Sequence, residues 1–427
     1  MTATTRHGMF ASLRVRNYRL FATGSLVSNT GTWMQRVAQD WLVLELSNGS
    51  GVALGVVTAL QFGPILFFGM YGGMLADRYD KRKLLFATQA SMGLLALVLG
   101  LLDLGNVVAL WHVYVLATGL GIATSLDTPI RQAFVSELVG PERLTNAVGL
   151  NSSTFNAARL VGPGAAGLLI AAFSTAPVFL LNAGSFAVTL IALTRMRSAE
   201  LFMTTRVARG KGQLREALSY VRARPDLRLT MLLVFIVGTF GLNFQLTTAL
   251  MAREVFKLDA SAFGLLGSCV AVGSLTGALL SARRRERPRL RLLIGAAMTF
   301  GVLEIIAGVM PTFASFAILL VPTGAAALTF IIAANSSVQL GTDASMRGRV
   351  MALYLLFFMG GAPIGAPIIG WLSENFGARS GIVAGGLCCV LAAAAIGARL
   401  AIQTGLRVEA HVTTRPHLQL RVPALKA

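Results

Sequence analysis

The sequence predicts an all-α polytopic membrane protein, with twelve transmembrane helices arranged as two pseudo-symmetric six-helix bundles. Of its 427 residues, 55% are hydrophobic and only 13% are charged, about half the charged fraction of a soluble domain. Apolar runs of about 20 residues recur along the whole chain, and a helix of that length crosses a hydrocarbon core of about 30 Å. These observations exclude secreted, disulfide-framed and disordered classes. They also exclude a transmembrane barrel, whose strands would be short and alternating.

The apolar runs define the helices, and one long polar connection divides them into two sets of six. Similar short sequences recur in the two halves at a nearly constant separation along the chain. For example, Leu54–Gly55 in the first half corresponds to Phe263–Gly264 in the second. This pattern indicates a duplicated six-helix unit with a cavity between the two copies. The predicted spans are Tyr18–Leu46, Val52–Ala76, Leu84–Leu104, Val107–Leu126, Leu144–Phe173, Ala176–Leu193, Leu229–Met251, Ala262–Ala282, Leu290–Val309, Phe313–Leu340, Val350–Leu372 and Gly381–Leu400.

The long connection is polar and basic, and Gly210, Gly212 and Pro225 interrupt it. Residues Gln213–Arg224 within it are patterned like a short surface helix. The predicted organisation is an N-terminal bundle (1–194), a cytoplasmic basic linker (195–228), a C-terminal bundle (229–400) and a cytoplasmic basic tail (401–427).

The chain has a net charge of +19, and the positions of its basic residues indicate the membrane topology. With twelve spans, all but five of the 37 basic residues fall at connections on one side of the membrane. The positive-inside rule then places both termini and the basic loops in the cytoplasm, in a multi-pass protein of the cytoplasmic (inner) membrane. The basic surface is expected to contact anionic lipid headgroups, and no nucleic-acid partner is expected.

Two local motifs resemble those of a known transporter family. Between the second and third spans the chain reads Gly73-Met-Leu-Ala-Asp77-Arg78, followed by the basic cluster Lys81–Lys83. The fifth span contains Arg159-Leu-Val-Gly162-Pro163-Gly164-Ala-Ala-Gly167. The first motif resembles the signature loop of the major facilitator superfamily, and the second is similar to the glycine–proline motif of its exporters. Further resemblance to the enterobactin-exporter and macrolide-efflux branch comes from Pro129–Phe134, Arg347–Tyr354, Pro363–Pro367 and Gly370–Trp371.

This resemblance covers about residues 17–400 and implies a two-bundle secondary transporter that alternates access, an exporter driven by proton entry. The sequence departs from the family pattern in two places. The fourth span, in Val113–Gly121, lacks the arginine that the family often carries there, and the second-half copy of the loop, Gly277–Arg285, has lost its aspartate. Any gate built on that loop is therefore expected to be asymmetric.

A polar stripe on the first span is the candidate site for protons and substrate. Asn29, Trp33, Arg36 and Asp40 recur at spacings of 4, 3 and 4, which places them on one helix face. A face with two opposite charges cannot face lipid, so it should line the cavity between the bundles. Two interpretations remain open. Arg36 and Asp40 form a permanent structural ion pair, or Asp40 binds a proton or cation while Arg36 balances its charge.

Other intramembrane polar residues extend this candidate site. Arg159 lies at depth in the fifth span, and the family packs the fifth helix beside the first. That placement fits either an anionic substrate or a carboxylate whose protonation is coupled to substrate exchange. Asn243 and Asn335 are predicted to line the cavity, with polar packing as the alternative. Glu304 is expected at the membrane interface, because it lies a few positions from the end of the ninth span.

The family resemblance also implies a cytoplasmic gate. Asp77 would face the start of the eleventh helix, where the helix dipole favours a carboxylate, and ion pairs there would hold the bundles together. The alternative is a loop that serves topology alone. Gly162, Pro163 and Gly167 are expected to permit a kink and close packing in the fifth helix, with packing alone as the alternative. The predicted gate residues are Gly73, Asp77, Arg78, Arg82, Arg131 and Arg347.

The predicted function is proton-coupled efflux of a small amphipathic molecule of the drug or siderophore type, by a monomer in the lipid bilayer. Uptake or lipid flipping on the same scaffold is the alternative, and a non-transporting membrane scaffold is a third. The three cysteines lie in apolar runs, and no catalytic or nucleotide-binding motif is recognised within the spans. The expectation is therefore a protein that is not an enzyme and that has no cofactor or metal.

Overall fold

A computed structural model describes residues 10–202, 213–282, 288, 290–343, 345–404, 407–411 and 417–421. Apart from one short hairpin, its regular structure is helical. The predicted N-terminal bundle, linker, C-terminal bundle and tail therefore lie partly outside the described residues, and the loop Arg283–Arg285 lies wholly outside them. The helices are α1 Arg16–Leu46, α2 Gly51–Phe62, α3 Pro64–Arg78, α4 Lys81–Leu104, α5 Leu110–Ala172, α6 Ala176–Thr194, α7 Gln213–Ala223, α8 Pro225–Ile236, α9 Phe244–Leu250, α10 Ala260–Ala282, α11 Leu290–Gly308, α12 Phe313–Gly341, α13 Arg347–Gly360, α14 Ala362–Phe376 and α15 Ala378–Thr404.

Short irregular segments join or extend these helices. Single 3₁₀ turns occur at Ala11–Arg14 and Ser198–Glu200, and π-helical turns occur at Val237–Gly241 and Met251–Val255. The π-helical turns make one continuous span of Pro225–Val255. Two strands, β1 (Arg407–His411) and β2 (His417–Arg421), pair antiparallel within the segment that the sequence predicted only as a basic tail.

Ten helical segments of the described chain are long and apolar enough to cross a membrane. Helix α1 is not among them, although it has 31 residues, since Arg36, Asp40 and many uncharged polar residues interrupt its apolar pattern. Helix α5 counts once, with 63 residues. A straight helix of that length would extend about three times the thickness of a hydrocarbon core.

Gly140 divides α5 into two helical segments. Its φ of 68° and ψ of 177° are non-helical and favour glycine, and Pro141 follows at a position suited to a helix start. The segments are residues 110–139 and 141–172. The predicted span ended at Leu126, but the helix continues to Gly140, so residues 127–139 form a helix and not the predicted loop.

The two halves of the chain are residues 10–202 and 213–404, and each packs around its own core. In the N-terminal half, α1 lies against α5 and α6, and α4 also contacts both. In the C-terminal half, α12 packs between α10 and α11, and α11 also packs along α15. Helix α7 belongs to the C-terminal half. Ala217 and Val221 are buried in that core, and Glu216 pairs with Arg349 at 2.5 Å.

Contacts between the halves concentrate near one end of the helices. We call the end with connections 79–80, 140, 195–197, 343 and 345–346 the basic face, and the end with connections 47–50, 105–109, 173–175 and 256–259 the opposite face. Toward the opposite face, α2 packs on α14 and α5 packs on α10. A Cβ added to Gly55 would lie 2.5 Å from the Ala366 carbonyl oxygen, so this glycine permits backbone contact between the halves.

Candidate functional site

The predicted stripe lies on α1, where the helix passes through the N-terminal half. Asn29, Trp33 and Arg36 are half-buried, and Asp40 is only 5% exposed. The next turn carries Trp41, which stacks on Phe263 of the other half with ring centroids 6.4 Å apart. The stripe therefore runs from the half-buried part of α1 to a buried layer that both halves build.

Two arginines share one aromatic ring at the centre of this stripe. The guanidinium carbons of Arg36 and Arg159 lie 4.7 and 5.7 Å from the centre of the Trp33 ring. Arg36 also lies 5.3 Å from the centre of the Phe62 ring, and Phe155 meets Trp33 edge-on at 5.8 Å. Cation–π contacts of this kind are favourable at short range, especially where water is scarce. We call Trp33, Arg36, Phe62, Phe155 and Arg159 the arginine–aromatic cluster.

Glycines of α5 bring the cluster together. A Cβ on Gly162 would lie 2.6 Å from the Cβ of Trp33, so only glycine lets α5 approach α1 here. Arg159, one turn earlier, is thereby placed beside Trp33. Gly167 serves a different contact, since its Cβ would lie 2.7 Å from the carbonyl oxygen of Ala260 on α10. Pro163 is buried beside that second contact, against Gly267.

Arg36 and Asp40 do not form the ion pair that their spacing permits. No N···O approach within 4 Å joins them, and the Nε atom of Arg36 is buried without a hydrogen-bond partner in the described chain. Among the described residues, no side-chain hydrogen bond reaches the Asp40 carboxylate either. Buried charges without partners cost free energy, so such groups in a membrane span indicate a functional site.

A second polar network in the N-terminal half was not predicted from the sequence. The Asp127 carboxylate accepts hydrogen bonds from Thr88 at 2.7 Å, from Gln89 at 2.8 Å and from Arg131 at 2.9 Å. Arg131 also donates to Ser25 at 3.0 Å. The available signal was the spacing of Asp127 and Arg131, one helical turn apart just after the predicted span end. Both charges of this network, on Asp127 and Arg131, are paired with each other, unlike those of the arginine–aromatic cluster.

The predicted gate residues do not form one connected group in this structure. Arg82 donates to the carbonyl oxygens of Leu193 and Thr194 at the end of α6, at 2.7 and 2.9 Å. Because Arg82 and Arg131 bind groups of their own half, neither joins the two halves here. Of the other gate residues, Gly73 and Asp77 are half-buried near the end of α3, whereas Arg78 and Arg347 are exposed.

A contact between the halves that sequence reasoning missed lies at the opposite face. An oxygen of Glu374 accepts from the Ser50 hydroxyl at 2.6 Å and from the Val52 backbone N–H at 2.9 Å. Ser50 is the N-cap of α2, so Glu374 adds a carboxylate to that helix N-terminus. We call this contact the Ser50–Glu374 latch. No local signal predicts it, because the partners are 324 residues apart.

The C-terminal half contributes amides and one acid. Asn243 donates to the carbonyl oxygens of Thr239 and Phe240, at 2.7 and 3.2 Å, where the π-helical turn before α9 leaves the helix. Its amide therefore satisfies backbone groups that a broken helix leaves free. Asn335 is half-buried on α12. Glu304 was expected at the interface, but it is 5% exposed on α11, and one of its oxygens has no hydrogen-bond partner in the described chain.

Comparison with known proteins places the chain in a family. The sequence model of the transmembrane secretion effector family, one of the major facilitator transporters, matches residues 7–424. The chain belongs to this family. The family resemblance inferred from Gly73–Lys83 and Arg159–Gly167 is thereby confirmed, and the chain is a multi-pass membrane protein of the major facilitator superfamily.

Two of the relatives that the chain matches are transporters. The staphyloferrin A transporter of Staphylococcus aureus is 24% identical over 61% of this chain, and the match covers 66% of that relative, just under two thirds of its length. The enterobactin exporter EntS of Salmonella choleraesuis is 24% identical over 77% of this chain and 79% of its own. A bacterial homologue of the human lysosomal transporter Spinster shares the superfamily fold, with a TM-score of 0.69 at 17% identity over 89% of this chain and 96% of its own.

Proposed function

We propose that this chain is a secondary active transporter that exports a small amphipathic molecule in exchange for protons, by alternating access. The observation that carries this proposal is the set of unpaired ionisable groups, Arg36, Asp40 and Arg159, at depth in helices of the N-terminal half. The proposal includes no enzymatic step and no cofactor. Further support comes from the family, whose relatives include an enterobactin exporter.

The topology we propose has twelve transmembrane helices in two six-helix bundles. The ten apolar segments become twelve when α1 is added and α5 is counted as two helices divided at Gly140. The bundles would be residues 1–194 and 229–400, joined by the cytoplasmic linker 195–228 and followed by the cytoplasmic tail 401–427. The basic face would be cytoplasmic, as the positive-inside rule requires, in a monomer of the bacterial inner membrane.

In this topology the described conformation is open toward the cytoplasm. The halves contact each other mainly near the opposite face, through α2 with α14 and α5 with α10. The arginine–aromatic cluster lies just below that closed layer, with Phe155 45% exposed. A substrate would therefore enter from the cytoplasm, and export would require the layer to open and the basic face to close.

Asp40 is the carboxylate that we propose to carry the proton. It is buried without a partner, so its negative charge is costly in this state and protonation removes that cost. Arg36, one helical turn away, balances the charge when a proton leaves. A carboxylate that changes its surroundings as the closed layer opens can thus take a proton on one side and release it on the other.

Purified protein in vesicles tests this function. With a pH-sensitive dye inside, we expect that cationic, neutral and anionic candidate substrates differ in the proton flux they cause, and that Asp40→Asn abolishes the substrate-dependent flux. The matched control is Asp259→Asn, because Asp259 is an exposed residue that caps the start of α10 and asparagine caps equally well. Full proton-driven flux in Asp40→Asn would show that another group carries the proton.

A further inference from the structure

The arginine–aromatic cluster holds two positive charges and no acceptor. Within the described chain, neither Arg36 nor Arg159 has a carboxylate within 4 Å, whereas Arg131 has one at 2.9 Å. Arg36 also keeps a buried donor, its Nε, without a partner. Arg131 is therefore neutralised by a carboxylate of its own helix, whereas Arg36 and Arg159 are not neutralised at this distance by any described side chain.

This contrast points to a ligand, because guanidinium groups in a membrane protein interior are normally paired. Asp40 is the nearest candidate on the same helix face, and it makes no ion pair with Arg36. The unused donors of the cluster match a carboxylate or another planar anion, which accepts paired N–H bonds from a guanidinium fork. The missing acceptor would then be supplied by the transported molecule.

We infer that the arginine–aromatic cluster binds an anionic group of the substrate, and that the substrate class is an amphipathic carboxylate or similar planar anion with an aromatic or apolar ring. This assignment rests on the export function proposed above and adds the charge of the transported molecule. Arg36 and Arg159 hold the anion. Trp33, Phe62 and Phe155 provide ring faces and edges that pack against the apolar part.

The position of the cluster agrees with a binding site that alternates its access. On the side of the opposite face, a buried layer formed by residues such as Leu54 and Phe263 covers it. Toward the basic face, its own member Phe155 is exposed. Helices α1, α2 and α5 all contribute residues, and all three also contact the other half. Binding can therefore influence how the halves pack.

Equilibrium binding to the purified, detergent-solubilised chain tests the inference without any gradient. The probe is 2-naphthoate, and its uncharged counterpart is 2-naphthamide, which has nearly the same shape. We expect the anion to bind about tenfold more tightly than the amide, since hydrogen bonds to a charged group are the stronger ones. Arg36→Gln and Arg159→Gln should each remove most of this preference, and Trp33→Leu should weaken the binding of both probes.

Arg228→Gln is the matched control, because Arg228 is an exposed arginine near the basic face. It should leave the preference intact, which separates binding at the cluster from general attraction to a basic protein. If Arg36→Gln does not give a monodisperse protein, Arg159→Gln decides. Equal affinity for naphthoate and naphthamide, or an unchanged preference in both arginine variants, would overturn the inference. Arginine-dependent binding with no proton flux in vesicles would support this site and reject the export function.

Discussion

The two faces of the molecule are held by different kinds of contact. At the opposite face the halves meet through backbone and ring contacts, as where Gly55 faces Ala366 and where Trp41 stacks on Phe263. At the basic face Lys81 and Arg82 bind groups of their own half, Lys81 with Glu137 at 2.5 Å and Arg82 with the end of α6. The opposite face is closed by close packing, and the basic face carries charges that remain available for rearrangement.

This difference explains how one conformation can be stable and still convertible. Close-packed surfaces do not deform gradually, so the layer at the opposite face is either formed or separated. Its separation exposes apolar surface, and contacts at the basic face must offset that cost. The charged residues near the basic face are the groups from which such contacts can form, and this is the role that the sequence predicted for Asp77 and Arg347.

The largest expected effect comes from a bulky side chain in the closed layer. In Gly55→Leu, the new Cβ would lie 2.5 Å from the carbonyl oxygen of Ala366 and 2.8 Å from the Cα of Pro367. Overpacking of about 1–3 kcal/mol should separate the layer and reduce transport at least tenfold. A cysteine introduced at the buried Val57 should then react with a membrane-impermeant maleimide.

Gly295→Leu is the control for that change, because nothing lies within 4 Å of a Cβ at Gly295. It should preserve both transport and the protection of the cysteine. Normal transport and full protection in Gly55→Leu would mean that α2 and α14 do not need their close contact.

A severalfold effect is expected from Asp77→Asn at the basic face. If Asp77 stabilises the state in which that face is closed, loss of its charge should shift the population toward the present open state. A partly exposed pair contributes about 1 kcal/mol or less, which changes the ratio of the two states severalfold. Cysteines introduced near the basic-face ends of α3 and α13 should become more reactive, and turnover should slow. Unchanged labelling together with unchanged turnover would show that this loop serves topology alone.

The Ser50–Glu374 latch should contribute less than the packed layer beside it. Glu374→Ala removes the acceptor for Ser50 and Val52, which is a loss of about 1 kcal/mol at an exposed position. Labelling of the Val57 cysteine should increase a few-fold, in the direction opposite to any effect of Asp77→Asn. The neighbouring Asn375→Ala should have no effect, because within the described residues Asn375 bonds only in its own helix, to Trp371. Equal labelling of both variants would show that packing alone closes this face.

The smallest effect on the balance between the faces is expected from Arg82→Gln. Arg82 satisfies the last carbonyl groups of α6, so its loss should lower the stability of the N-terminal half by about 1 kcal/mol. Cysteine labelling at either face should stay as in the parent protein, while the melting temperature falls by a few degrees. A large change in labelling would instead show that Arg82 takes part in the gate, as the sequence predicted.

Spacing along single helices was predictable from the sequence, because the helical period is a local property. The stripe from Asn29 to Asp40 lies on one face of α1 as predicted, and a helix at Gln213–Ala223 is confirmed. Family membership was also predictable, since the motif at Gly73–Lys83 is contiguous. The same local rules failed at Asp127, which follows an apolar run and was treated as part of a loop although the helix continues past it.

Partnership between distant residues was decided only by the tertiary structure. The spacing of Arg36 and Asp40 allows an ion pair, yet Arg36 lies over Trp33 of its own helix and makes no N···O contact within 4 Å with Asp40. Packing of α5 against α1 at Gly162 brings Arg159 to the same ring. Glu304 lies near the end of a span by sequence, but the packing of α11 against α15 buries it. Hydrophobic period and charge asymmetry determine which helices form and how they cross the membrane, because both act on each helix separately. Which polar groups meet depends on how close two helices come, and that distance is set by the small residues where they cross.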